Sequence, residues 1–402
     1  MTTSQEALAG LGREFLYPNY RQPPLVLVRG EGSALFDAEG KRYLDFFAGI
    51  AVSTLGHGHP RLVRALSEQA ARLIHASNYF FNEPNVRLAA RLCRLSGMAR
   101  AFFCNSGTEA IEASHQLARR HFFSRGEPER LRIIAFENSF HGRTLGALAA
   151  TGQPKYRDGF GPLPAVSHVP YGDAAAVERA MGTDVAAVLV EPVQGEGGVL
   201  PAPPGFLAEL RRITQKQGSL LIFDEVQTGI GRTGTFLACQ GEGVEPDVVA
   251  LAKALGGGVP IGAMLTRAEL SEALPPGSHG STFGGNPLAS AAAHAVLDAI
   301  EEDDLLAHVR QIGDYLSGEL ARLASRHAKI VTGARGRGLL QALLLKETVD
   351  ARQVLGKLQE AGVLLTVAGG QALRFSPPLV VTRAELDEGL AKVDAVLGSL
   401  AG

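Results

Sequence analysis

The sequence predicts an α/β fold in which a mostly parallel sheet is covered on both faces by helices. Three observations carry that expectation. Apolar runs at 187–190, 220–223 and 248–251 show no period-two alternation, which suits strands buried on both faces. Between about residues 62 and 274 such runs alternate with amphipathic stretches, as strand–helix units do. From about residue 287 the pattern changes to long amphipathic helices at 287–300 and 305–326, followed by shorter strand-like pieces, which predicts a smaller α+β unit.

The remaining elements follow in chain order. Residues 25–45 read as short strands and turns of an amino-terminal lobe. The 402 residues suffice for two domains with a large buried core. The 48 glycines exceed the usual share of about 7% and predict many tight turns. With no internal repeat, low-complexity tract or Pro-rich linker, a domain boundary is expected in a short connection near Gly285.

Charge and composition exclude several functions. The formal net charge is −2 and the two signs are interspersed, so neither nucleic acid nor an anionic membrane surface is an expected partner; small molecules are. Residues 1–12 lack the basic start and apolar core of a signal peptide, and no apolar run reaches the roughly 18 residues of a spanning helix. A cytoplasmic location is expected. Cys93, Cys104 and Cys239 show no Cys-x-x-Cys spacing and an odd count, which reads as reduced core residues. His57, His59, His75 and His141 form no recognisable ligand set, so no metal is expected, and they read as structural or substrate-adjacent.

Three of the apolar strands run into ionisable residues: Glu191, Asp224-Glu225, and Ala252-Lys253. Ligands of open α/β sheets bind beyond the carboxyl ends of the strands, so these charges converge on an expected site. A lysine among apolar residues loses hydration, which favours the neutral amine that forms an imine with an aldehyde; alone, Lys253 reads equally as a strand-end lysine reaching solvent. Asp224 would need a cationic partner, either a protonated pyridine nitrogen or an arginine. Asn-Ser-Gly-Thr-Glu-Ala at 105–110 places a turn at a helix start, where backbone N–H groups can cradle a phosphate or merely cap the helix. Phe140-His141-Gly142-Arg143 offers a ring that can stack and an arginine that can grip a carboxylate, unless it is a plain surface loop.

Taken together these motifs resemble a family. Asn-Ser-Gly-Thr-Glu-Ala at 105–110, Glu-Pro-Val-Gln-Gly-Glu-Gly-Gly at 191–198, Phe-Asp-Glu-Val-Gln-Thr-Gly at 223–229, Leu-Ala-Lys-Ala-Leu-Gly-Gly-Gly at 251–258 and Ser-Thr-Phe-Gly-Gly-Asn-Pro at 281–287 resemble, in order, the class III pyridoxal-phosphate aminotransferases. Within that class the chain looks most like the acetylornithine aminotransferases. The resemblance covers about residues 25–397. It implies a fold-type I transferase, with residues 51–285 as the large cofactor domain and residues 1–50 and 286–402 forming the small one.

The resemblance also implies roles. Lys253 would be the Schiff-base lysine for pyridoxal 5'-phosphate and Asp224 the partner of its ring nitrogen. Val226 and Phe140 would sandwich the ring, Gln227 would approach its hydroxyl, and Ser106, Gly107, Thr108 and Glu225 would complete the cofactor set. Thr282 would reach the cofactor phosphate of a neighbouring subunit, implying a homodimer with shared sites. Arg143 and Ser281 would contact substrate, and Glu196 and Arg374 would form a switchable ion pair. The implied reaction moves the terminal amine of an acylated ω-amino acid, N-acetylornithine first, to 2-oxoglutarate, giving glutamate in a step of arginine biosynthesis. Ornithine aminotransferases usually carry a tyrosine near Gly49 or Ile50; its absence here favours an acylated donor over ornithine. Succinylornithine and a carrier-linked or acylated lysine-pathway intermediate share the same reacting end. The family usually has Asn at Ile111 and Lys at Gln116, which puts local helix packing in question.

Two readings from other classes compete. A dinucleotide-dependent dehydrogenase needs a strand followed by Gly-x-Gly-x-x-Gly, and Gly56-His57-Gly58 and Gly336-Arg337-Gly338 lack the third glycine. A non-catalytic binding protein on the same fold should have lost Lys253 or Asp224.

Overall fold

The structure is a computed structural model that describes residues 4–21 and 25–401. Residues 1–3 of the stretch read for a signal peptide lie outside them. The large sheet holds seven strands in the spatial order Arg100–Cys104, Gly262–Thr266, Val248–Leu251, Leu220–Asp224, Val185–Val190, Arg132–Phe136 and Val166–Val169. Gly262–Thr266 runs antiparallel to both neighbours, and the other six share one direction.

Every residue of Val185–Val190, Leu220–Asp224 and Val248–Leu251 is buried. The pleat explains why these runs do not alternate. Val188, Val190, Leu221, Phe223, Val249 and Leu251 pack in one layer with Phe206, Leu207 and Leu210 of the helix Phe206–Gln217. Ala187, Leu189, Leu220, Ile222, Val248 and Ala250 pack in the other, against Ala110, Ile111 and Leu117 of the helix Gly107–Ser124. Burying each large apolar side chain contributes about 1.5–3 kcal/mol, so a polar residue is costly anywhere in these strands except at their ends. Ile111 fits its helix by packing in this layer, and Gln116 by facing solvent.

The long helices appear as Pro287–Glu302 and Leu305–Arg326. The first begins where the sequence provides a stop signal for the preceding loop: Asn286 Oδ1 accepts from Ala289 N at 2.8 Å, and Pro287 needs no donor partner. Beyond them, Val331–Arg337, Leu340–Leu345, Ala372–Phe375 and Thr366–Ala368 form an antiparallel sheet.

The two chain ends share structure. Leu27–Glu31, Ala34–Asp37 and Arg42–Asp45 form a sheet whose fourth strand, Val363–Leu364, comes from the far end of the sequence. Leu44 and Phe46 then enter a core built with Phe375, Leu386, Leu390 and Val393. A fully buried arginine ties this part to the large sheet's side, since Arg232 Nη1 donates to the carbonyls of Leu339 at 3.1 Å and Pro377 at 2.5 Å.

Phe46 stacks at a 6.2 Å centroid distance from Phe375, and its ring fills the space where a side chain on Gly389 would sit. Phe46→Ala should therefore destabilise the protein by about 3–5 kcal/mol, measured as a lower urea midpoint at unchanged slope. A loss below about 1 kcal/mol would show that the amino-terminal segment is peripheral to this core.

Candidate active site

A cavity of about 410 Å³ opens at the carboxyl ends of the central strands. It is lined by residues from several of the chemistry-bearing motifs, Ser106, Gly107, Thr108, Phe140, Arg143, Asp224, Val226, Gln227 and Lys253, but by none of the 281–287 motif. His141 and Glu191 line it too.

Asp224 is 5% exposed, and both of its oxygens accept hydrogen bonds. Val226 N donates to Oδ1 at 3.0 Å, and His141 Nδ1 lies 2.7 Å from Oδ2. A carboxylate can only accept, so Nδ1 carries the proton. Among the described residues no arginine pairs with Asp224, which removes one of the two partners considered for it. His141 was read only as structural or substrate-adjacent. The sequence held one signal for more: an aspartate at the end of an apolar strand needs donors, and this imidazole follows Phe140 in the same motif.

Lys253 opens a short 3-10 turn, Lys253–Gly256, with φ of +41°, in the left-handed region that a side chain makes costly. The turn is held by Thr54 Oγ1, which donates to Ala254 O at 2.9 Å. Burial lowers the amine's pKa from the usual lysine value, although Glu196, Asp224 and Glu191 pull the other way. Glu191 ends the strand beside Asp224, since Val190 pairs with Phe223. Burial, and then the adjacent Asp224 charge, push the Glu191 carboxyl well above its ordinary value. Its Oε2 accepts from Phe140 N at 3.2 Å, so it holds the loop that carries the aromatic ring.

The helix Gly107–Ser124 starts at the cavity with Ser106 as its cap. Ser106 Oγ accepts from Glu109 N at 3.3 Å and donates to Glu109 Oε2 at 2.8 Å, so Glu109 holds the capping hydroxyl in place. Ser106 thus shapes the turn while lining the cavity. Gly107 N and Thr108 N have no partner among the described residues, and they face a helix dipole's positive end. Gly107 has to be glycine, because a Cβ there would lie 2.7 Å from Val226 Cγ1. Thr108 Oγ1 accepts from Arg143 N at 3.2 Å and Thr144 N at 3.3 Å, fixing the 140–144 loop to the helix start. A Cβ on Gly142 would strike that hydroxyl at 2.2 Å.

The other assigned residues divide. Arg143 is exposed, with its guanidinium 4.1 Å from the centre of the Tyr156 ring. Arg374, 2% exposed, is ion-paired with Glu196 and also donates through Nη1 to Gln227 Oε1 at 3.2 Å. Burial raises the Glu196 pKa, and the Arg374 charge and further contacts more than reverse this, leaving it below the ordinary value. Ser281 accepts from Asn105 Nδ2 at 3.3 Å beside the phosphate turn, and Thr282 points its exposure outward. Glu225 is corrected: its carboxylate accepts from Cys239 N at 2.8 Å, Ala238 N at 3.0 Å and Thr228 Oγ1 at 2.5 Å, and it does not line the cavity. Glu225 follows the strand's last residue, Asp224, and its carboxylate turns back to the Ala238 and Cys239 backbone instead of the cavity.

Residues 15–397 match the family Aminotransferase class-III. The chain is a class III aminotransferase. It is 49% identical over 387 residues to the acetylornithine aminotransferase of Myxococcus xanthus, covering 96% of each chain. The ornithine aminotransferase of Toxoplasma gondii superimposes with a TM-score of 0.95 at 34% identity, covering 99% of this chain and 96% of that one. The N-acetylornithine aminotransferase of Stenotrophomonas maltophilia superimposes with a TM-score of 0.84 at 37% identity, covering 97% and 98%. Both substrate names thus occur on this fold, and the fold alone does not separate them.

Aminotransferases of this class depend on pyridoxal phosphate. The donor set in this aminotransferase fits that group. Two free N–H groups at a helix start suit a phosphate, a buried carboxylate suits a protonated ring nitrogen, and a lysine of lowered basicity suits an aldehyde. No cluster among the described residues suits a metal ion.

Glu191 gives a test of the site's electrostatics. Its folded pKa is raised above the unfolded value, so it binds protons on folding, and stability is lost as pH rises from the unfolded pKa through the folded one. Glu191→Gln keeps the neutral shape without that loss. In the cofactor-free protein the variant should match the parent near pH 4 and become progressively more stable than it as pH rises to 8. Parallel stability curves across that range would contradict a raised Glu191 pKa.

Proposed function

We propose that this aminotransferase moves the terminal amine of N-acetylornithine to 2-oxoglutarate, giving N-acetylglutamate 5-semialdehyde and glutamate, a step of arginine biosynthesis. The observation that carries the reading is the ion pair of buried Arg374 with Glu196 beside the cavity. An unmasked arginine there would select α-amino acids. Masked by Glu196, it leaves room for a donor that brings only a methylene chain to the reacting centre. The acetylornithine names of several relatives at 44–49% identity support the same substrate.

When bound, pyridoxal phosphate supplies the aldehyde that accepts the amino group and the ring into which the carbanion's charge spreads. The chain's own residues do the rest. Lys253 would hold the cofactor's aldehyde, and its neutral Nζ would carry the proton between carbon centres. Asp224, oriented by His141, holds the proton on the ring nitrogen. Gly107 and Thr108 bind the phosphate through backbone N–H groups, Phe140 and Val226 close on the ring's two faces, and Gln227 approaches its hydroxyl. Arg143 takes the carboxylate distant from the reacting amine, with Ser281 beside it. In the second half-reaction Glu196 swings away and Arg374 receives the α-carboxylate of 2-oxoglutarate.

The working unit is a homodimer with shared sites. Support comes from a band of exposed aromatics, Tyr79 at 92%, Phe80 at 74% and Phe81 at 97%, next to Phe283 and the exposed Thr282. Such a contiguous apolar surface calls for a partner, and a second copy would bring Thr282 to the other cavity's phosphate. Small charged substrates and three unpaired cysteines suit a cytoplasmic location.

Two measurements test the reading. With 2-oxoglutarate as acceptor, acetylornithine should exceed ornithine and 4-aminobutyrate in kcat/KM by about 10–200-fold, the discrimination that a pocket achieves on a small group; a preference for ornithine would reject the assignment. Lys253→Ala should still bind cofactor but lose turnover by at least the roughly 10²–10⁴-fold of a positioned proton carrier, and near-parent rates would remove Lys253 from its role.

A further inference from the structure

Arg374 is held unevenly. Its Nε donates to Thr366 Oγ1 at 3.1 Å, while its Nη1 takes Glu196, Gln227 Oε1 at 3.2 Å and Gly195 O at 3.4 Å. Among the described residues no hydrogen bond uses Nη2. Thr366 and Arg374 are directly opposed on antiparallel strands, so the hydroxyl is fixed by the sheet itself. Arg374 is paired with Ala342 on its other side and is 2% exposed. Glu196 differs: its side chain is 24% exposed and stands in the stretch Gly195-Glu196-Gly197-Gly198. The arginine is therefore the fixed member of the pair and the glutamate the movable one.

A carboxylate grips a guanidinium best by two parallel hydrogen bonds along one edge. Thr366 closes the edge that contains Nε. What remains is the Nη1–Nη2 edge, which Glu196 occupies through Nη1. We propose that Thr366 is a positioning residue that pins Arg374 by Nε and commits it to receive the acceptor's carboxylate end-on through Nη1 and Nη2. The acceptor and Glu196 then compete for a single edge and cannot both be bound. This inference rests on the proposed alternation at Arg374. Without the hydroxyl, Nε–H would be left without a partner in a buried strand pair, and the guanidinium would turn to recover one at the expense of the receiving edge.

The test uses the holoenzyme and glutarate, an unreactive dicarboxylate, with binding measured by calorimetry for the parent, Thr366→Val, Thr366→Ser and Arg374→Ala. Thr366→Val should raise the glutarate Kd about tenfold, or about 1.4 kcal/mol, and raise the KM for 2-oxoglutarate similarly. Its kcat and its KM for acetylornithine should stay within about twofold, the pattern of lost ground-state binding. Thr366→Ser, which restores the hydroxyl, should return both values to those of the parent. If Arg374→Ala weakens glutarate but Thr366→Val does not, or if Thr366→Ser fails to rescue, the role of Thr366 is wrong while the alternation stands. If Arg374→Ala leaves glutarate binding unchanged, the alternation itself fails and this inference with it.

Discussion

A carboxylate that has left water must be given donors, and much of this site is arranged around that demand at Asp224. The strand that carries it is buried on both faces, so the charge cannot turn outward. An isolated buried ion would cost several kcal/mol. Two donors come from the chain, Val226 N and His141 Nδ1, and the imidazole is itself fixed because His141 N donates to Thr151 Oγ1 at 3.0 Å. The same short loop is held at Phe140 N by Glu191 and at Arg143 N and Thr144 N by Thr108. The 140–144 loop, the helix start at Gly107 and the buried carboxylate therefore form one connected assembly, and displacing any of them strains the others.

The parts legible in the sequence were those governed by period and by chain direction. Apolar runs without alternation gave the central strands, and an amphipathic period from residue 287 gave the helix that follows. The strand-end rule alone brings Glu191, Asp224 and Lys253 to one place. What could not be read was the direction of individual side chains. Glu225 follows Asp224 in sequence but faces the opposite side, where it caps the backbone at Ala238 and Cys239. Ser106 caps its helix and lines the cavity as well, and only the position of Glu109 shows what holds its hydroxyl. Thr366 lies eight residues from Arg374, and nothing local shows that a strand reversal places one opposite the other.

The residues expected to bear on donor choice, Gly49 and Ile50, lie in unusual backbone. Ala48, Gly49, Ile50 and Ala51 all have φ between +47° and +67°. For the three with side chains, that conformation costs about 1–2 kcal/mol each. Asp45 offsets part of it: Oδ1 accepts from Phe47 N at 3.1 Å and Ala48 N at 2.7 Å, and Oδ2 meets His57 Nε2 at 2.7 Å. The turn delivers Val52 to the cavity lining. Strain here and at Lys253 accords with a site whose shape is imposed by its surroundings instead of by local preference.

That imposed shape also determines how the site can change between its two substrates. Arg374 is too deeply buried to stand alone, since removing the partner of a buried charge costs about 3–5 kcal/mol. Glu196 is likewise held ionised by the charge it faces. A gate that opened first and waited for an acceptor would therefore spend its time in a state populated at well under one per cent by that energy difference. In the proposed alternation the arriving carboxylate replaces Glu196 on the same edge as the glutamate turns toward solvent, so neither charge is stranded. The donor offers no carboxylate at that position and leaves the pair closed. Discrimination between the two half-reactions then follows from which molecule can complete the exchange, with no movement of the strands beneath.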